Sequence, residues 1–283
     1  MLHRARRTVY NLFKKPLLYL GFSVVRNEKL DALYFSLDKA NTGIKWMVNP
    51  KAGSIQNFVQ RNYNLLESRS QLQQDLVAAF IHSLFSDEPG YFIEFGATDG
   101  KTYSNTYCLE KRFGWSGVLA EPAKIWHREL EESRSCSIDH RCVWSTSGTD
   151  LAFNEVSEAE YSTLETFSNS DYHSSIRSKG KSYFVQTVTL EELLKDYKAP
   201  SEISYLSVDT EGSEFEILRT FNFDSYKINF ISVEHNFTDQ RSLIHDLLVR
   251  NGYQRVMTKY SEWDDWYVRI CKETQEFLEG IDE

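Results

Sequence analysis

Several acidic residues in this chain follow or interrupt short apolar runs, and their spacing relative to glycines indicates a ligand site. Glu94 lies inside the apolar run 91–95, which leads straight into Gly96 and Gly100 in the pattern E-x-G-x-x-x-G. Glycine has no Cβ, so such a turn lets the backbone bend sharply and lets a ligand approach it closely. A strand followed by a glycine turn begins many α/β nucleotide sites, although ordinary strand-to-helix turns share the pattern. The turn alone therefore does not identify a ligand.

A second acid, Glu121, comes directly after the next short apolar run, 118–120, and precedes Pro122. It follows Gly100 by 21 residues. In a doubly wound α/β fold, an acid at the carboxyl end of the second strand holds both hydroxyls of a ribose, because one carboxylate accepts two hydrogen bonds at once. The glycine turn and this acid together favour a nucleoside ligand.

Two later apolar runs also end in polar clusters. The run 203–208 is followed by the acid-rich segment 209–214, and the run 228–233 is followed by Glu234-His235-Asn236. Open α/β sheets bind their ligands outside the carboxyl ends of the strands. Asp209 is the stronger indication of a ligand site, because a carboxylate at the end of a buried strand needs a partner to offset the cost of its desolvation. Glu214 has an alternative role, since an acid also stabilises the start of a helix.

The elements that position these residues alternate between strand and helix along the chain. The predicted strands are 91–95, 118–120, 136–144, 184–190, 203–208 and 228–233, and the predicted helices are 54–85, 105–113, 123–133, 191–197 and 240–250. Two last strands, 253–260 and 266–270, are separated by a turn and predict a hairpin. This alternation indicates the α/β class, as a doubly wound sheet whose last strand is antiparallel. The Ser-rich stretch 157–182 is predicted to be an inserted loop near the site.

Composition limits the function classes that fit. The chain has 283 residues, 41% of them hydrophobic, which suffices for a substantial core. Its net charge of −9 argues against nucleic acid as a partner, because a phosphate-binding surface needs an excess of Lys and Arg. The four cysteines show no C-x-x-C pair, which is typical of reduced thiols in a cytoplasmic protein. The sequence carries no signal for an oligomeric state.

The N-terminal segment differs from the rest of the chain in charge. Residues 1–29 carry seven Lys or Arg and one acid, a charge of +6, which leaves −15 for the remainder. Their apolar run, 17–25, is too short to cross a bilayer core, which takes about 20 residues. Two interpretations stay open: peripheral contact of this segment with an anionic membrane surface, or plain packing of an N-terminal segment.

The motifs become recognisable when they are taken in order. They are Ser70-Gln71-Leu72-Gln73-Gln74-Asp75, Phe92-Ile93-Glu94-Phe95-Gly96-Ala97-Thr98-Asp99-Gly100, Ser104-Asn105-Thr106 with Leu109-Glu110, Gly114-Trp115-Ser116-Gly117-Val118-Leu119-Ala120-Glu121-Pro122, and Leu206-Ser207-Val208-Asp209-Thr210-Glu211-Gly212-Ser213-Glu214. This series closely resembles the FkbM family of S-adenosylmethionine-dependent methyltransferases over roughly residues 68–268. Thr98 replaces the middle glycine of the general methyltransferase pattern E-x-G-x-G-x-G, and FkbM relatives commonly lack that glycine as well.

The resemblance implies a class I methyltransferase (Rossmann-like) fold with a seven-stranded sheet and an antiparallel last strand. It also implies methyl transfer from S-adenosylmethionine to a hydroxyl oxygen, often on a sugar or polyketide. The acceptor predicted for this chain is a hydroxyl of a sugar, glycan, glycolipid or other hydroxylated small molecule. The predicted domains are an N-terminal basic and helical extension over 1–67, the methyltransferase domain over 68–270 and an acidic, solvated tail over 271–283. The alternative is a non-catalytic binding or trafficking protein that keeps this fold.

The resemblance also assigns cofactor positions. Glu94, Gly96 and Gly100 are expected to border the methionine end of the cofactor, and Glu121 to hold the ribose. Arg141 and Cys142 are expected to flank the adenine. The remaining cofactor positions carried over in this way are Ala97, Thr98, Asp99, Ser104, Asn105, Pro122 and Asp209.

Catalytic roles follow from the chemistry of methyl transfer. The methyl group is already activated, so the enzyme has to align the acceptor oxygen and remove its proton, for which Asp209 and His235 are the candidates. Related sugar methyltransferases hold a divalent metal with acids at such strand ends, so Asp209, Glu211 and Glu234 are a candidate Mg²⁺ site. Two alternatives stay open: the acids hydrogen-bond the cofactor amine and the substrate, and His235 is an ordinary polar residue with its partners satisfied.

Overall fold

The computed structural model describes Phe58 and residues 68–156, 162–167, 177–178 and 180–281. The predictions for the basic segment 1–29, and for nearly all of the extension 1–67, lie outside these residues. In the part of the chain that is described, no helix combines the length and the apolar character needed to cross a membrane.

The strands of the fold fall into two sheets. In chain order they are β1 (Tyr91–Phe95), β2 (Ser116–Ala120), β3 (Ser137–Asp139), β4 (Cys142–Val143), β5 (Asp150–Glu155), β6 (Thr163–Leu164), β7 (Lys181–Val188), β8 (Glu202–Val208), β9 (Lys227–Glu234), β10 (Tyr253–Val256) and β11 (Asp264–Arg269). Seven of them form the main sheet in the order β10-β11-β9-β8-β1-β2-β3. β11 runs antiparallel to β9 and β10, while the other neighbours are parallel. The predicted doubly wound seven-stranded sheet with an antiparallel last strand is confirmed.

Helices cover both faces of the main sheet. They are α1 (Gln74–Ser83), α2 (Tyr107–Phe113), α3 (His127–Ser133), α4 (Leu190–Asp196), α5 (Glu214–Leu218), α6 (Gln240–Arg250) and α7 (Gln275–Gly280). Because strand side chains alternate between faces, Phe92 of β1 packs in one core with α1, whereas Ile93 packs in the other with α4, α5 and α6. The topological switch point lies between β1 and β8, so the carboxyl ends of these two strands open into one crevice.

The second sheet was not expected from the sequence. Its order is β4-β7-β5-β6, and β7 contains residues 184–188 of the predicted strand 184–190, whereas Leu190 already belongs to α4. The prediction of a single strand over 136–144 is wrong, because β3 and β4 belong to different sheets. The strand is interrupted between them, where the carboxylate of Asp139 accepts hydrogen bonds from both the backbone N–H and the guanidinium of Arg141. Parts of the predicted insertion 157–182 lie outside the described residues.

Two predictions at the ends of the domain need correction. The helix predicted over 54–85 is not continuous, because α1 begins only at Gln74, and Gln73 before it has a left-handed backbone with φ 69°. The hydroxyls of Ser68 and Ser70 each donate to Asp75 at 2.7 Å, which holds the chain in a non-helical turn. At the other end, Leu278 of α7 is buried in the core, so the tail is not simply solvated. The domain boundaries at 67 and 270 stay predictions.

Candidate active site

The turn after β1 is in direct backbone contact with the end of β8. Gly96 and Gly100 have φ of +75° and +73°, and Thr98 between them has φ 47°. A Cβ on Gly96 would collide with the carbonyl oxygen of Asp209, so only glycine fits there. The glycine turn and the first residue of the acidic segment are therefore two walls of one crevice.

Glu94 fastens the loop that follows the glycine turn. One of its buried carboxylate oxygens accepts a hydrogen bond from the backbone N–H of Asn105 at 2.6 Å. The other accepts from the hydroxyls of Ser104, at 2.9 Å, and Thr106, at 2.5 Å. Ser104 thus reaches back to the strand, and its hydroxyl also accepts from the backbone N–H of Tyr107 at 3.1 Å, at the start of α2. The direct partner of Glu94 is the loop, and its contact with a cofactor stays a prediction.

Arg134, which the sequence did not single out, holds the same loop from the other side. Its fully buried guanidinium donates to the carbonyl of Gly100 at 3.0 Å and to the hydroxyl of Thr106 at 2.9 Å. It also forms ion pairs with Glu110 at 2.6 Å and with Glu94 at 3.6 Å. Arg134 comes one residue after α3, and nothing in its sequence neighbours indicates these distant partners.

Glu121 lies at the carboxyl end of β2 beside the glycine turn. Its carboxylate is buried and accepts from two backbone N–H groups, those of Thr98 and Ala123, each at 2.8 Å. Within the described residues, no Lys or Arg forms an ion pair with it. Burial, helped by the charges of Glu155 and Glu94, raises the pKa of Glu121 to about 7. A carboxylate offers about four acceptor positions, so this group retains capacity for hydroxyl donors.

The residues predicted to flank adenine separate in the structure. The guanidinium of Arg141 binds Asp139 at 2.6 Å and Asp196 at 2.8 Å, so it is neutralised within the protein. Cys142 is buried in β4, where burial and the nearby charge of Glu121 raise the pKa of its thiol to about 12. Cys142 therefore lies near the predicted ribose acid, whereas the Arg141 side chain is engaged with two carboxylates.

The remaining predicted cofactor positions lie around the same turn. Ala97 is buried, and the carboxylate of Asp99 accepts from the hydroxyl and the backbone N–H of Thr102, which closes the turn. Asn105 donates through Nδ2 to the hydroxyl of Ser207 on β8 at 3.0 Å. Its Oδ1 is a buried acceptor that has no hydrogen-bond partner among the described residues. The carbonyl of Pro122 also faces this region, accepting at 3.4 Å from the Tyr183 hydroxyl.

Three carboxylates meet at the ends of β8 and β9. Asp209, Glu211 and Glu234 each place a ligand oxygen within 4.8 Å of the others. Burial, with the charges of Asp264 and Glu214, raises the pKa of Asp209 to about 8. Burial and the charge of Asp209 likewise raise the pKa of Glu234 well above its usual value. Asp209 and Glu234 hydrogen-bond each other, so at neutral pH they hold a proton between them.

A second buried arginine connects the small sheet to this acidic group. Arg177 donates to the carboxylate of Glu211 at 2.8 Å, and both side chains are almost fully buried. The hydroxyl of Thr163 on β6 donates to the backbone carbonyl of Glu211 at 2.9 Å, and Asn154 on β5 donates to the carbonyl of Arg177. Thr163 and Arg177 are therefore both fixed to the loop after β8. Arg177 lies in a Ser-rich stretch, where the sequence gives no sign of this ion pair.

His235 is buried beside this group, and neither ring nitrogen is left to take a substrate proton. Its Nδ1 accepts from the backbone N–H of Phe237 at 3.0 Å, and its Nε2 donates to the carbonyl of Asp264 at 3.1 Å. Burial lowers the pKa of His235 to about 4, so the imidazole is neutral at physiological pH. This geometry is that of a satisfied polar residue and favours Asp209 as the proton acceptor.

A pocket of about 200 Å³ opens at the carboxyl ends of β8 and β9. It is lined by Gly212, Glu214, Glu234, His235, Asn236, Thr238, Asp239 and Gln240. None of these described lining residues is Lys or Arg, whereas three are acids. The pocket therefore presents carboxyl groups and no basic side chain next to the three-carboxylate group.

Comparison with known proteins shows which family the chain belongs to. Residues 94–266, more than half of the chain, match the family model described as methyltransferase FkbM domain. The chain belongs to the FkbM methyltransferase family. A search of curated proteins finds no significant match for this methyltransferase. Among solved structures, it is similar to the precorrin-6y C5,15-methyltransferase from Geobacter metallireducens GS-15, with 10% sequence identity and a TM-score of 0.37, over 69% of this chain and 89% of that chain.

The matched segment begins at Glu94 in β1 and ends at Trp266 in β11. It therefore contains the end of β1, the glycine turn and the acidic segment 209–214. The predicted membership and the methyltransferase activity are confirmed. In this FkbM methyltransferase the predicted residues fall into two adjoining groups, one around Glu121 and one around Asp209. Among them, the Arg141 guanidinium, the His235 ring and the Glu94 carboxylate are engaged with protein partners.

Proposed function

We propose that this FkbM methyltransferase uses S-adenosylmethionine to methylate a hydroxyl group of a sugar, glycan or glycolipid. The observation that carries the proposal is the buried carboxylate of Glu121, which has no ion-pair partner among the described residues and lies against the backbone of the glycine turn. A buried carboxylate is costly unless it is hydrogen-bonded. Two hydroxyl donors on one ribose would satisfy the acceptor capacity that Thr98 and Ala123 leave.

The other residues of the turn fit the rest of a nucleoside with an amino-acid end. Asn105 has a buried Oδ1 with no hydrogen-bond partner among the described residues, and the backbone around Gly96 can be approached closely. An ammonium group would suit such an acceptor, and Asp209 adds a carboxyl on the opposite wall of the crevice. Bound S-adenosylmethionine would supply a methyl group that its sulfonium charge already activates.

Asp209 is the residue that we assign to take the acceptor proton. It lies between the glycine turn and the acidic pocket, and its pKa of about 8 is close to the range in which a general base works at neutral pH. Glu234 lies beside Asp209, and the hydrogen bond between the two carboxyl groups partly offsets the rise that burial causes in the pKa of Asp209. The pocket would orient the hydroxyl through acceptors on Glu214, Asn236 and Asp239.

We further propose that Mg²⁺ binds at Asp209, Glu211 and Glu234. Three carboxylate oxygens within 4.8 Å of one another are hard ligands of the kind that this ion prefers. A cation there would remove the repulsion that raises the pKa of Asp209 and Glu234, and it would lower the pKa of a bound hydroxyl. Arg177 already pairs with Glu211, so the ion would depend mainly on Asp209 and Glu234.

Calorimetric titration with S-adenosylmethionine tests the cofactor half of the proposal. The wild-type protein should bind in the micromolar range, and Glu121→Gln should weaken binding by about 1 to 3 kcal/mol, as expected when a buried charged acceptor is lost. Glu129→Gln removes an exposed carboxylate from α3 and should leave the affinity unchanged. Absence of binding to the wild-type protein, or equal affinity for the Glu121 variant, would refute the assignment.

A further inference from the structure

The loop after β9 carries an exposed phenylalanine at the edge of the acidic pocket. Phe237 is 62% exposed, while the residues on both sides of it, Asn236 and Thr238, line the pocket. Its ring lies edge-on to the ring of His235, another lining residue, with 5.1 Å between the centroids and 75° between the planes. Phe237 is therefore beside the pocket opening without forming its wall.

The backbone that carries this ring is in an unfavourable conformation. Asn236 and Phe237 have φ of 44° and 58°, two consecutive left-handed residues without a glycine. Asparagine tolerates this region, but a side chain such as phenylalanine does so at a cost in stability. Glycine at 237 would remove that cost, and the ring gains little burial in return. Folding alone does not explain why a phenylalanine occupies this position.

His235 holds the strained loop in place. Its Nδ1 accepts from the backbone N–H of Phe237, while its Nε2 is anchored to the Asp264 carbonyl of β11. The carbonyl of His235 accepts from both the backbone N–H and the hydroxyl of Thr238, at 2.8 and 2.9 Å. The imidazole thus links the loop to the main sheet and fixes the direction in which the phenylalanine ring projects.

The pocket and the ring present complementary chemistry. The pocket offers the carboxyl groups of Glu214, Glu234 and Asp239, which exchange hydrogen bonds with hydroxyls, and none of its described lining residues is a Lys or Arg that would attract a phosphate or carboxylate group. The ring offers an exposed apolar face. A neutral sugar has both properties that this arrangement matches, a donor-rich edge of hydroxyls and an apolar face of C–H groups.

We propose that Phe237 is a specificity-determining residue that packs against the C–H face of a neutral sugar ring in the acceptor, while the hydroxyls of that sugar enter the acidic pocket. The inference rests on the proposed function, since it names the acceptor class of the same site. His235 acts as a positioning residue for Phe237.

Saturation-transfer NMR titrations test this inference with methyl glycosides of glucose, galactose, mannose and rhamnose as probes, in the presence of S-adenosylhomocysteine. Wild-type protein should bind at least one glycoside, Phe237→Ala should weaken that binding at least fivefold, and Phe237→Trp should retain it. Phe184→Ala is the matched control, because Phe184 is 72% exposed on β7 of the second sheet and should not matter. A phosphorylated analogue, glucose 6-phosphate, should bind more weakly than methyl glucoside.

A glycine variant separates recognition from folding. Phe237→Gly should unfold at the same or a higher denaturant concentration than the wild type, because it relieves the left-handed phenylalanine, and yet it should lose glycoside binding like Phe237→Ala. Equal glycoside binding by wild type and Phe237→Ala would overturn the inference, and so would the absence of glycoside binding to the wild type. The proposed function fails separately, if the wild type does not bind S-adenosylmethionine in calorimetry.

Discussion

Glu121 and Asp209 are both buried acids, yet packing gives them different partners. Glu121 accepts from the backbone N–H groups of Thr98 and Ala123, so its charge is stabilised by dipoles alone. Asp209 faces the carboxyl group of Glu234, so one proton serves two acids. The first environment suits neutral hydroxyl donors, and the second suits a proton or a cation. The two acids thereby divide cofactor binding and acceptor chemistry between them.

At the scale of single residues, the first prediction concerns metal binding. Mn²⁺, a paramagnetic substitute for Mg²⁺, should bind the wild-type protein in an electron paramagnetic resonance titration. Asp209→Asn should weaken this binding at least about tenfold, because it removes a charged ligand. Binding at pH 7 should also release protons, since the pKa of Asp209 is about 8 without a cation.

Asp224→Asn provides the control for the metal titration, because Asp224 is fully exposed on the connection before β9. Its affinity for Mn²⁺ should match that of the wild type. If the wild type binds no Mn²⁺, or if Asp209→Asn binds it equally well, the metal proposal fails, and Asp209 remains a general base without a metal.

The sequence placed the three carboxylates correctly because the ends of neighbouring parallel strands must meet at one edge of a sheet. The same reasoning could not find Arg134 or Arg177, whose partners lie 24 to 40 and 34 residues away in the chain. Such pairs depend on how helices and the insertion pack, and residue spacing does not encode them. His235 was predicted to be a base for a related reason. The sequence shows the residue type and position of His235, but it does not show the hydrogen bonds of its ring.

At the scale of secondary structure, the site depends on how closely two loops approach. The turn after β1 contacts the end of β8 through Gly96, whose missing Cβ leaves room for the Asp209 carbonyl. Arg134 and Glu94 hold the next loop, and Arg177 forms an ion pair with Glu211 in the loop after β8. The crevice is therefore formed by contacts between loops that three different strands support.

Replacement of Gly96 by alanine tests this contact. Gly96 and Gly148 have nearly the same φ, +75° and +73°, but a Cβ on Gly148 meets nothing within 4 Å. Gly148→Ala should therefore cost only the conformational term of about 1 to 2 kcal/mol. Gly96→Ala should cost at least about 1 kcal/mol more in the free energy of unfolding, and it should also lower the affinity for S-adenosylmethionine.

Chemical denaturation of both alanine variants measures the difference. Equal losses of stability would show that the backbone contact between Gly96 and Asp209 contributes nothing beyond the left-handed conformation, and the account of the crevice would need revision. Circular dichroism before denaturation verifies that both variants retain the fold.

Helices and strands could be predicted from the sequence where their residues show a clear hydrophobic pattern. The helix 240–250 has the predicted bounds, and the strands that end at Phe95, Ala120 and Val208 end where the apolar runs end. The second sheet was not predictable, because β4 and β6 have two residues each and carry no periodic signal. Trp266, the first residue of the predicted strand 266–270, is fully buried because β11 is inserted between β9 and β10.

At the scale of the whole molecule, one edge of the main sheet concentrates acids that folding keeps partly protonated. Burial raises the pKa of Glu121 and of Asp264 to about 7, and that of Asp209 to about 8. The unfolded chain loses these protons near pH 4. The folded protein without cofactor or metal therefore binds more protons than the unfolded chain at neutral pH, and its stability must depend on pH.

Stability should fall as the pH rises from 6.5 to 8. In this window the buried acids of the folded state ionise, whereas those of the unfolded chain are already ionised, so the stabilising difference is lost. His235, whose pKa burial lowers to about 4, has the opposite effect only at lower pH, where the unfolded imidazole gains a proton. Calorimetric melting temperatures should drop by about 2 to 4 °C for each kcal/mol lost.

Glu121→Gln should reduce this pH dependence, because it removes one of the titrating groups. Mg²⁺ should raise the melting temperature more at pH 8 than at pH 6.5, since it competes with protons for Asp209 and Glu234. A melting temperature that rises between pH 6.5 and 8 in the absence of ligands would contradict the assigned protonation of the acidic edge.

A crystal structure of the protein in complex with S-adenosylhomocysteine is the most direct test of the two-part site. We expect both ribose hydroxyls within hydrogen-bond distance of the Glu121 carboxylate, at about 2.5 to 3.0 Å, with the amino-acid end between the Gly96 turn and Asp209. A nucleoside bound elsewhere, or a ribose that does not contact Glu121, would contradict it.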